Sequence, residues 1–268
     1  MLYYLLLLGI AILPVVVLMI YIYRQDKYQK EPIKSLAKAF FGGIIAIMID
    51  IMIVSVIDNI FGDTLFSKTV FFSAFVEAGI PEEFSKFFIF MILIWRDKNF
   101  DEWFDGIVYA CFIGLGFACL ENIDYVLSYG FHTGVVRALL SVPGHFLFGV
   151  ILGYFLSLAK FQPEKRTIHI IFGLGAAMLA HGLFDWLLMI TGKLNPFIGT
   201  LIYFVFLWGD IKLWKLGLKL IRRQQENSRL QAEVTPPNDF YPDDNELISN
   251  TSYNSEYKHI DWDAGNKW

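Results

Sequence analysis

Apolar segments long enough to cross a bilayer recur along most of the chain, and they constrain its fold more than any other feature. A transmembrane helix needs about 20 mostly apolar residues to cross a hydrocarbon core of about 30 Å. Backbone groups in lipid must hydrogen-bond internally, so such segments form helices. We therefore predict an all-α fold, a polytopic transmembrane helical bundle. Its seven predicted spans cover residues 2–23, 36–57, 69–95, 105–128, 135–159, 167–190 and 196–219.

The composition excludes a soluble globular protein. Of the 268 residues, 56% are hydrophobic and only 18% are charged, whereas soluble domains carry about 25% charged residues. Cys111 and Cys119 lie on one predicted helix, too far apart to pair, and we interpret both as core residues. The net charge of −4 comes mainly from the C-terminal tail. The net charge is therefore not informative about nucleic acid. We predict the lipid bilayer as a partner from the apolar composition, and we predict no nucleic-acid partner.

The distribution of Lys and Arg predicts the orientation of the spans. Positive residues concentrate in cytoplasmic loops, and fifteen lie on one side of the seven spans against three on the other. We therefore predict that the N-terminus is outside and the C-terminus is cytoplasmic. The fifteen are Arg24, Lys27, Lys30, Lys34, Lys38, Arg96, Lys98, Lys160, Lys165, Arg166, Lys212, Lys215, Lys219, Arg222 and Arg223, and the three are Lys68, Arg137 and Lys193.

The apolar pattern stops near residue 224, which divides the chain into two predicted parts. Residues 1–223 form the transmembrane domain. Residues 224–268 contain Pro236-Pro237, Asp243-Asp244 and many Asn and Ser residues without an apolar period. This composition is typical of a disordered segment, here an acidic cytoplasmic tail.

Ionisable residues in the middle of the third span indicate a functional site. Glu82, Glu83 and Lys86 lie within apolar flanks, where each charged residue costs about 2.5–3.5 kcal/mol. Helix spacing allows Lys86 to contact both carboxylates. A buried ion pair that only specifies packing is the structural alternative.

Three other spans bring polar residues to a similar depth. At about 1.5 Å per residue, Glu82 lies about 20 Å below the predicted outer edge and His145 about 15 Å. We therefore expect one polar cluster between the midplane and the outer surface. The further candidates for its catalytic residues are Glu121, Asn122, His181 and Asp185.

Several polar residues outside this set have simpler interpretations. Asp50 is the only acidic residue within the second span, and it either balances the charge of Lys86 or is a packing site. Asp101, Glu102 and Asp105 lie at the start of a predicted helix on the inner side, where N-capping accounts for them. We interpret Arg137 as an interfacial anchor near the outer boundary.

Five pieces of sequence, in order, resemble the PrsW family of bacterial intramembrane proteases, distant relatives of the type II CAAX prenyl endopeptidases. The resemblance covers about residues 20–220. The pieces are Pro81–Lys86, Phe100–Tyr109, Gly116–Asn122, Val136–Leu140 leading to His145, and His181–Asp185.

Two departures separate the chain from the wider CAAX-type group. Lys86 follows Glu83 by three positions, where that group has an arginine four after its second glutamate. Ser141 stands at the position of a phenylalanine in its Phe-x-x-x-His pattern. Both favour PrsW-like chemistry over prenyl-protein processing.

The resemblance implies a function in regulated signalling. PrsW-like proteins make the first cut in a membrane-anchored anti-sigma factor on its extracytoplasmic side, which begins release of a sigma factor. The expected partner is therefore a single-span membrane protein, and the expected location is the bacterial inner membrane.

The residues are compatible with two mechanisms. In one, Glu82 or Glu83 activates a water, Asn122 and an imidazole stabilise the oxyanion, and Asp185 orients His181, with Lys86 in support. In the other, the same site holds zinc. No HExxH motif is present to decide between them. The zinc ligands would then be His145, His181 and Glu82.

Two functions of other classes remain as alternatives. A proton-coupled transporter would use the carboxylates and imidazoles as a relay, although the chain has no inverted repeat. A non-catalytic scaffold would bind single-span proteins without cleaving them.

Overall fold

The computed structural model describes residues 2–234, and these are almost entirely helical with no strand among them. The predicted all-α fold is confirmed. In chain order the elements are α1 (Leu2–Gln25), α2 (Ile33–Phe61), a π-helix (Phe72–Gly79), α3 (Ile80–Leu93), α4 (Asp105–Tyr129), α5 (Phe131–Leu139), α6 (Ser141–Phe161), a short 3-10 turn (Pro163–Lys165), α7 (Arg166–Thr191) and α8 (Pro196–Val234).

Six of the seven predicted spans correspond to stretches of helix long and apolar enough to cross a membrane. The third predicted span, 69–95, is instead built from the π-helix and α3, which follow each other without a gap. Pro81 explains the change of helix type, because it has no N–H to donate to the preceding turn. The N-out orientation stays a prediction from the charge distribution.

The fifth predicted span, 135–159, is interrupted. The chain forms α5, breaks at Leu140 with φ −120° and ψ −63°, and starts again as α6 at Ser141. Pro143 accounts for the break, since a continuous helix would need its missing N–H, and proline is accepted in a first helical turn.

The buried centre of the bundle is α4, which packs against α1, α2 and α6. Small residues allow this packing: a Cβ on Gly116 would lie 2.0 Å from the carbonyl oxygen of Phe40, and one on Gly153 would lie 2.3 Å from that of Gly106. Gly116 and Gly153 therefore permit close approach between neighbouring helices. The end of α4 that carries Glu121 is thereby fixed within the bundle.

The predicted boundary at residue 223 falls inside α8, which continues as a helix to Val234. Gln224 and Ser228 are buried, and Gln224 donates a 3.2 Å hydrogen bond to the carbonyl oxygen of Tyr154. Met1–Gln231 forms one compact unit, so the ordered part extends beyond the prediction because polar side chains complete its packing. The rest of the predicted tail, 235–268, lies outside the described residues.

Candidate active site

Glu82, Glu83 and Lys86 lie in the first two turns of α3, directly after Pro81. Lys86 Nζ donates to Glu83 Oε1 at 2.8 Å and to Glu82 Oε2 at 3.2 Å. Both contacts expected from the helix spacing are therefore present. Carboxylates are also favoured in the first turn of a helix, where unpaired backbone N–H groups leave a partial positive charge.

Two imidazoles from other helices complete the centre of the site. His145 on α6 has Nδ1 3.0 Å from Lys86 Nζ and 3.9 Å from Glu82 Oε2. His181 on α7 has Nδ1 2.9 Å from Glu83 Oε1 and Nε2 3.9 Å from Glu82 Oε2. The predicted convergence of these helices in one cluster is thus observed.

Close helix contact brings His181 to the two glutamates. A Cβ on Gly79, the last residue of the π-helix, would lie 2.8 Å from the backbone nitrogen of Gly182. Only glycine at position 79 permits this approach between the π-helix and α7. π-Helical turns occur frequently at functional sites, and this one ends three residues before Glu82.

Aromatic rings form apolar walls around the charged groups. Phe148 stacks on His181 with ring centroids 4.6 Å apart, and Lys86 Nζ lies 4.2 Å from the centroid of Phe117. These rings exclude bulk water from two sides of the cluster. Charges interact more strongly in such a low-dielectric setting than in water.

Glu121 and Asp185 each contact one imidazole on the side of the ring that faces away from Glu83 and Lys86. Glu121 Oε2 lies 2.9 Å from His145 Nε2, and Asp185 Oδ2 lies 3.3 Å from His181 Nε2. A carboxylate in this position fixes the tautomer and orientation of an imidazole ring. The side chains of Glu121 and Asp185 are 21% and 22% exposed, so these two residues form the most accessible edge of the cluster.

Asn122 is fully buried and is turned away from the centre. Its Nδ2 donates to the carbonyl oxygen of Ala11 at 2.8 Å, and its Oδ1 accepts from Arg137 Nε at 3.0 Å. Both sides of the amide are therefore engaged. Of the predicted site residues, Asn122 is the one that the structure does not bring to the cluster.

Two residues next to the cluster were not selected from the sequence. Arg137 Nη2 lies 2.8 Å from Glu121 Oε2, so the guanidinium contacts a carboxylate of the cluster. Asp50 interacts electrostatically with Lys86, Glu121 and His181, and its Oδ1 is buried without a hydrogen-bond partner. In the sequence, Arg137 and Asp50 were distinguished only by carrying a charge near or within an apolar span.

The donor atoms at the centre are close enough together to be compared with a metal site. One ligand atom from each of Glu82, Glu83, His145 and His181 lies within 4.8 Å of the others. Imidazole and carboxylate donors are those that zinc uses in proteins. The donor set fits a divalent ion, although Lys86 Nζ now contacts three of the four residues.

The comparisons with known proteins point to one family. The family model described as "PrsW family intramembrane metalloprotease" matches residues 31–209. "Protease PrsW" of Bacillus subtilis is 36% identical over 227 residues, which cover 84% of this chain and 97% of that protein. "Protease PrsW" of Geobacillus kaustophilus is 32% identical over 231 residues, which cover 86% of this chain and 96% of that protein.

A third relative, "Protease PrsW" of Clostridioides difficile, is 32% identical over 228 residues, or 82% of this chain and 92% of that protein. No solved structure gives a significant match. The family model covers well over half of the chain. Within residues 2–234, six stretches of helix are long and apolar enough to cross a membrane, as in a multi-pass membrane protein. The chain therefore belongs to the PrsW family of intramembrane proteases.

Proposed function

We propose that this protease cleaves a membrane-anchored regulatory protein of the anti-sigma-factor type with a water activated by Glu82. The proposal rests on one observation: the two glutamates differ in their exposure and in the distances to their nearest polar contacts. Glu83 is 1% exposed, and its Oε1 contacts both Lys86 and His181 below 3 Å. Glu82 is 11% exposed and has both imidazoles only at 3.9 Å. Glu82 is thus the carboxylate that a water can reach.

Glu82 acts as general base and then as general acid. It takes a proton from water as the water oxygen attacks the peptide carbonyl carbon, and it returns that proton to the leaving amine nitrogen. A carboxylate contributes to catalysis in this way when it lies within hydrogen-bond reach of the water.

Lys86 and His181 stabilise the negative charge that develops on the peptide oxygen. Both nitrogens of His181 face carboxylates, at 2.9 Å from Glu83 and 3.3 Å from Asp185, an arrangement that favours a ring with hydrogen on both. Fixed positive groups in a water-poor site are effective for this purpose. They replace Asn122, which is engaged elsewhere.

A zinc ion is the metal that the donor set fits best. Glu83, His145 and His181 would hold it, and His181 would then give up one ring hydrogen and bind the ion instead of stabilising the oxyanion as a doubly protonated ring. Glu82 remains the base, and the ligand set differs in one member from the set predicted from sequence. When bound, the ion would polarise the scissile carbonyl and make the attacking water more acidic. The matching family is described as one of intramembrane metalloproteases, which supports this assignment.

The position of the cluster supports cleavage near the extracytoplasmic side. His145 is the fifth residue of α6, so the cluster lies nearer the end of the bundle where α4 ends and α6 begins. The predicted N-out orientation places that end outside. A single-span substrate would be cut on that side, which suits a membrane-anchored regulatory protein in the bacterial inner membrane.

The test is cleavage of a single-span membrane protein, tagged at both ends, by the purified full-length chain. We expect Glu82→Gln to lower kcat by about 10²–10⁴-fold, the usual contribution of a general base. The matched control is Glu164→Gln, on an exposed turn away from the site, which should leave kcat unchanged. Normal cleavage by Glu82→Gln would contradict Glu82 as the base, and normal cleavage by both Glu82→Gln and Glu83→Gln would contradict the proposed function as a whole.

A chelator arm of the same assay tests the metal. Loss of wild-type cleavage with chelator, restored by zinc, would support zinc at Glu83, His145 and His181. Cleavage that persists after complete metal removal would show that Glu82 acts without an ion. The sizes of the tagged fragments report the side of the cut.

A further inference from the structure

Arg137 lies on α5, the short helix before α6, and its side chain is only 11% exposed. Three residues of α4 surround it. Nη2 lies 2.8 Å from Glu121 Oε2, Nε donates to Asn122 Oδ1 at 3.0 Å, and the guanidinium carbon lies 4.0 Å from the ring centroid of Tyr125. An interfacial anchor would extend its side chain to the membrane surface, so the prediction for Arg137 does not describe these contacts.

One oxygen of Glu121 connects Arg137 to the catalytic cluster. Glu121 Oε2 lies 2.8 Å from Arg137 Nη2 and 2.9 Å from His145 Nε2. A charged carboxylate only accepts hydrogen bonds, so the hydrogen of the His145 ring belongs on Nε2. Nδ1 is then the acceptor, and it is the nitrogen that faces Lys86 and Glu82.

Asn122 fixes the direction of the guanidinium. It joins Arg137 to α1 through the carbonyl oxygen of Ala11. While Nε donates to Asn122, Nη2 of the same planar guanidinium makes a close ion pair with Glu121, and lysine, with a single side-chain nitrogen, cannot reproduce both contacts in this arrangement. The buried amide therefore has a use that does not require contact with the substrate.

We propose that Arg137 is a positioning residue, which acts through Glu121 to hold His145 with Nδ1 directed at Lys86 and Glu82. The proposal rests on the proposed function, since it assigns His145 to the reacting centre. Arg137 itself does not touch the peptide. Its removal lowers kcat because Glu121 turns toward its exposed side and the imidazole loses its fixed orientation.

The first experiment measures kcat and KM separately with the full-length protein and a single-span substrate. We expect Arg137→Ala to lower kcat by about 10–100-fold, as for other residues that orient a catalytic imidazole, with KM within about twofold. Arg137→Lys should recover part of the loss. Arg96→Ala, an exposed arginine away from the site, is the matched control. A raised KM with unchanged kcat would overturn the proposal, because it would mean that Arg137 binds substrate.

A double-mutant cycle tests whether Arg137 acts through Glu121. In a Glu121→Gln background, Arg137→Ala should cause little further loss of kcat, whereas independent roles would multiply the two losses. Full multiplication would overturn the proposal. If Glu82→Gln is inactive but Arg137→Ala is normal, this inference alone fails. If Glu82→Gln and Glu83→Gln are both active, the proposed function fails as well.

A spectroscopic readout separates positioning from a general loss of structure. In protein labelled with ¹⁵N-histidine, the wild-type His145 signals should show hydrogen on Nε2, and Arg137→Ala should give a mixture of tautomers while the melting temperature stays within a few degrees. Unchanged His145 signals in a folded, impaired Arg137→Ala variant would overturn the proposal.

Discussion

Two groups of buried carboxylates lie in this bundle, and they are stabilised in different ways. In the active-site cluster, Glu82 and Glu83 contact the ammonium of Lys86, and Glu121 contacts the guanidinium of Arg137. In the second group, which we call the carboxyl cluster, the carboxylates contact neutral groups and one another. The carboxyl cluster consists of Asp26, Glu31, Glu102 and Asp105, around the start of α4.

Neutral donors hold the carboxyl cluster in place. The Tyr109 hydroxyl donates to Glu31 Oε2. The backbone N–H groups of Asp101 and Glu102 donate to Asp105 Oδ2 at 2.9 and 2.7 Å. The nearby Lys30 donates to the backbone carbonyl oxygens of Tyr23 and Asp26 instead of to a carboxylate.

The acids of the carboxyl cluster also repel one another when charged, and one buried oxygen each of Asp26, Glu102 and Asp105 has no hydrogen-bond donor. Burial without a donor or a cation favours the protonated form of a carboxyl group. Burial raises the pKa of Glu102 to about 8 and that of Glu31 to about 7. Buried acids in this bundle are thus tolerated in one of two ways. They pair with cations, which leaves a carboxylate available as a base, or they keep their protons, which stabilises only the fold.

The largest expected effect on stability is that of removing the cation from the active-site cluster. Lys86→Met leaves Glu82 and Glu83 without their shared partner, and breaking a buried pair from one side costs about 3–5 kcal/mol. We expect a correspondingly lower unfolding midpoint in detergent. Lys30→Met is the control at the carboxyl cluster. It should cost less than about 1 kcal/mol, as for exposed lysines. Equal losses in the two variants would contradict the distinction between the clusters.

Most of the helices could be predicted from the sequence, because the cost of unpaired backbone groups in lipid leaves few other folds for long apolar runs. The break at Leu140 and the π-helix before Pro81 could not. They depend on which hydrogen bonds a proline removes and on how neighbouring helices compensate. The continuation of α8 was missed because Gln224 gains a buried partner only in the assembled bundle.

The centre of the site was predictable for a related reason: Glu82, His145 and His181 are costly in a membrane unless they have a use. Arg137 was not, since an arginine near the end of a span is satisfied equally well by the interface. The direction of Asn122 depends on a carbonyl of α1, 111 residues away in sequence, and no local pattern contains that information.

The second expected effect is a dependence of stability on pH that originates in the carboxyl cluster. The pKa of Glu102 rises from its ordinary 4.5 to about 8 in the folded chain. Between these values the folded chain keeps a proton that the unfolded chain releases. This contribution to stability is complete below pH 4.5 and is lost as the pH rises through 8.

Thermal unfolding of wild type and Glu102→Gln between pH 5.5 and 8.5 measures this effect. We expect the wild-type melting temperature to fall with rising pH and the fall to be smaller in Glu102→Gln, which is neutral throughout. Glu164→Gln, an exposed control, should follow the wild type. Cleavage activity at pH 7 should be unchanged in Glu102→Gln, since the carboxyl cluster is separate from the active site. Parallel pH profiles for wild type and Glu102→Gln would show that Glu102 does not carry the effect.

The smallest expected effect is that of a single neutral donor to the carboxyl cluster. Tyr109→Phe removes the hydroxyl that donates to Glu31 and should cost about 0.5–1.5 kcal/mol. The hydroxyl stabilises the ionised form of Glu31, so it lowers the pKa of Glu31 against the effect of burial. Its loss lets that pKa rise further, and the fall in melting temperature should shift to higher pH. A shift to lower pH would mean that Tyr109 stabilises the protonated form of Glu31, and the carboxyl cluster would then resemble the active-site cluster even less than we propose.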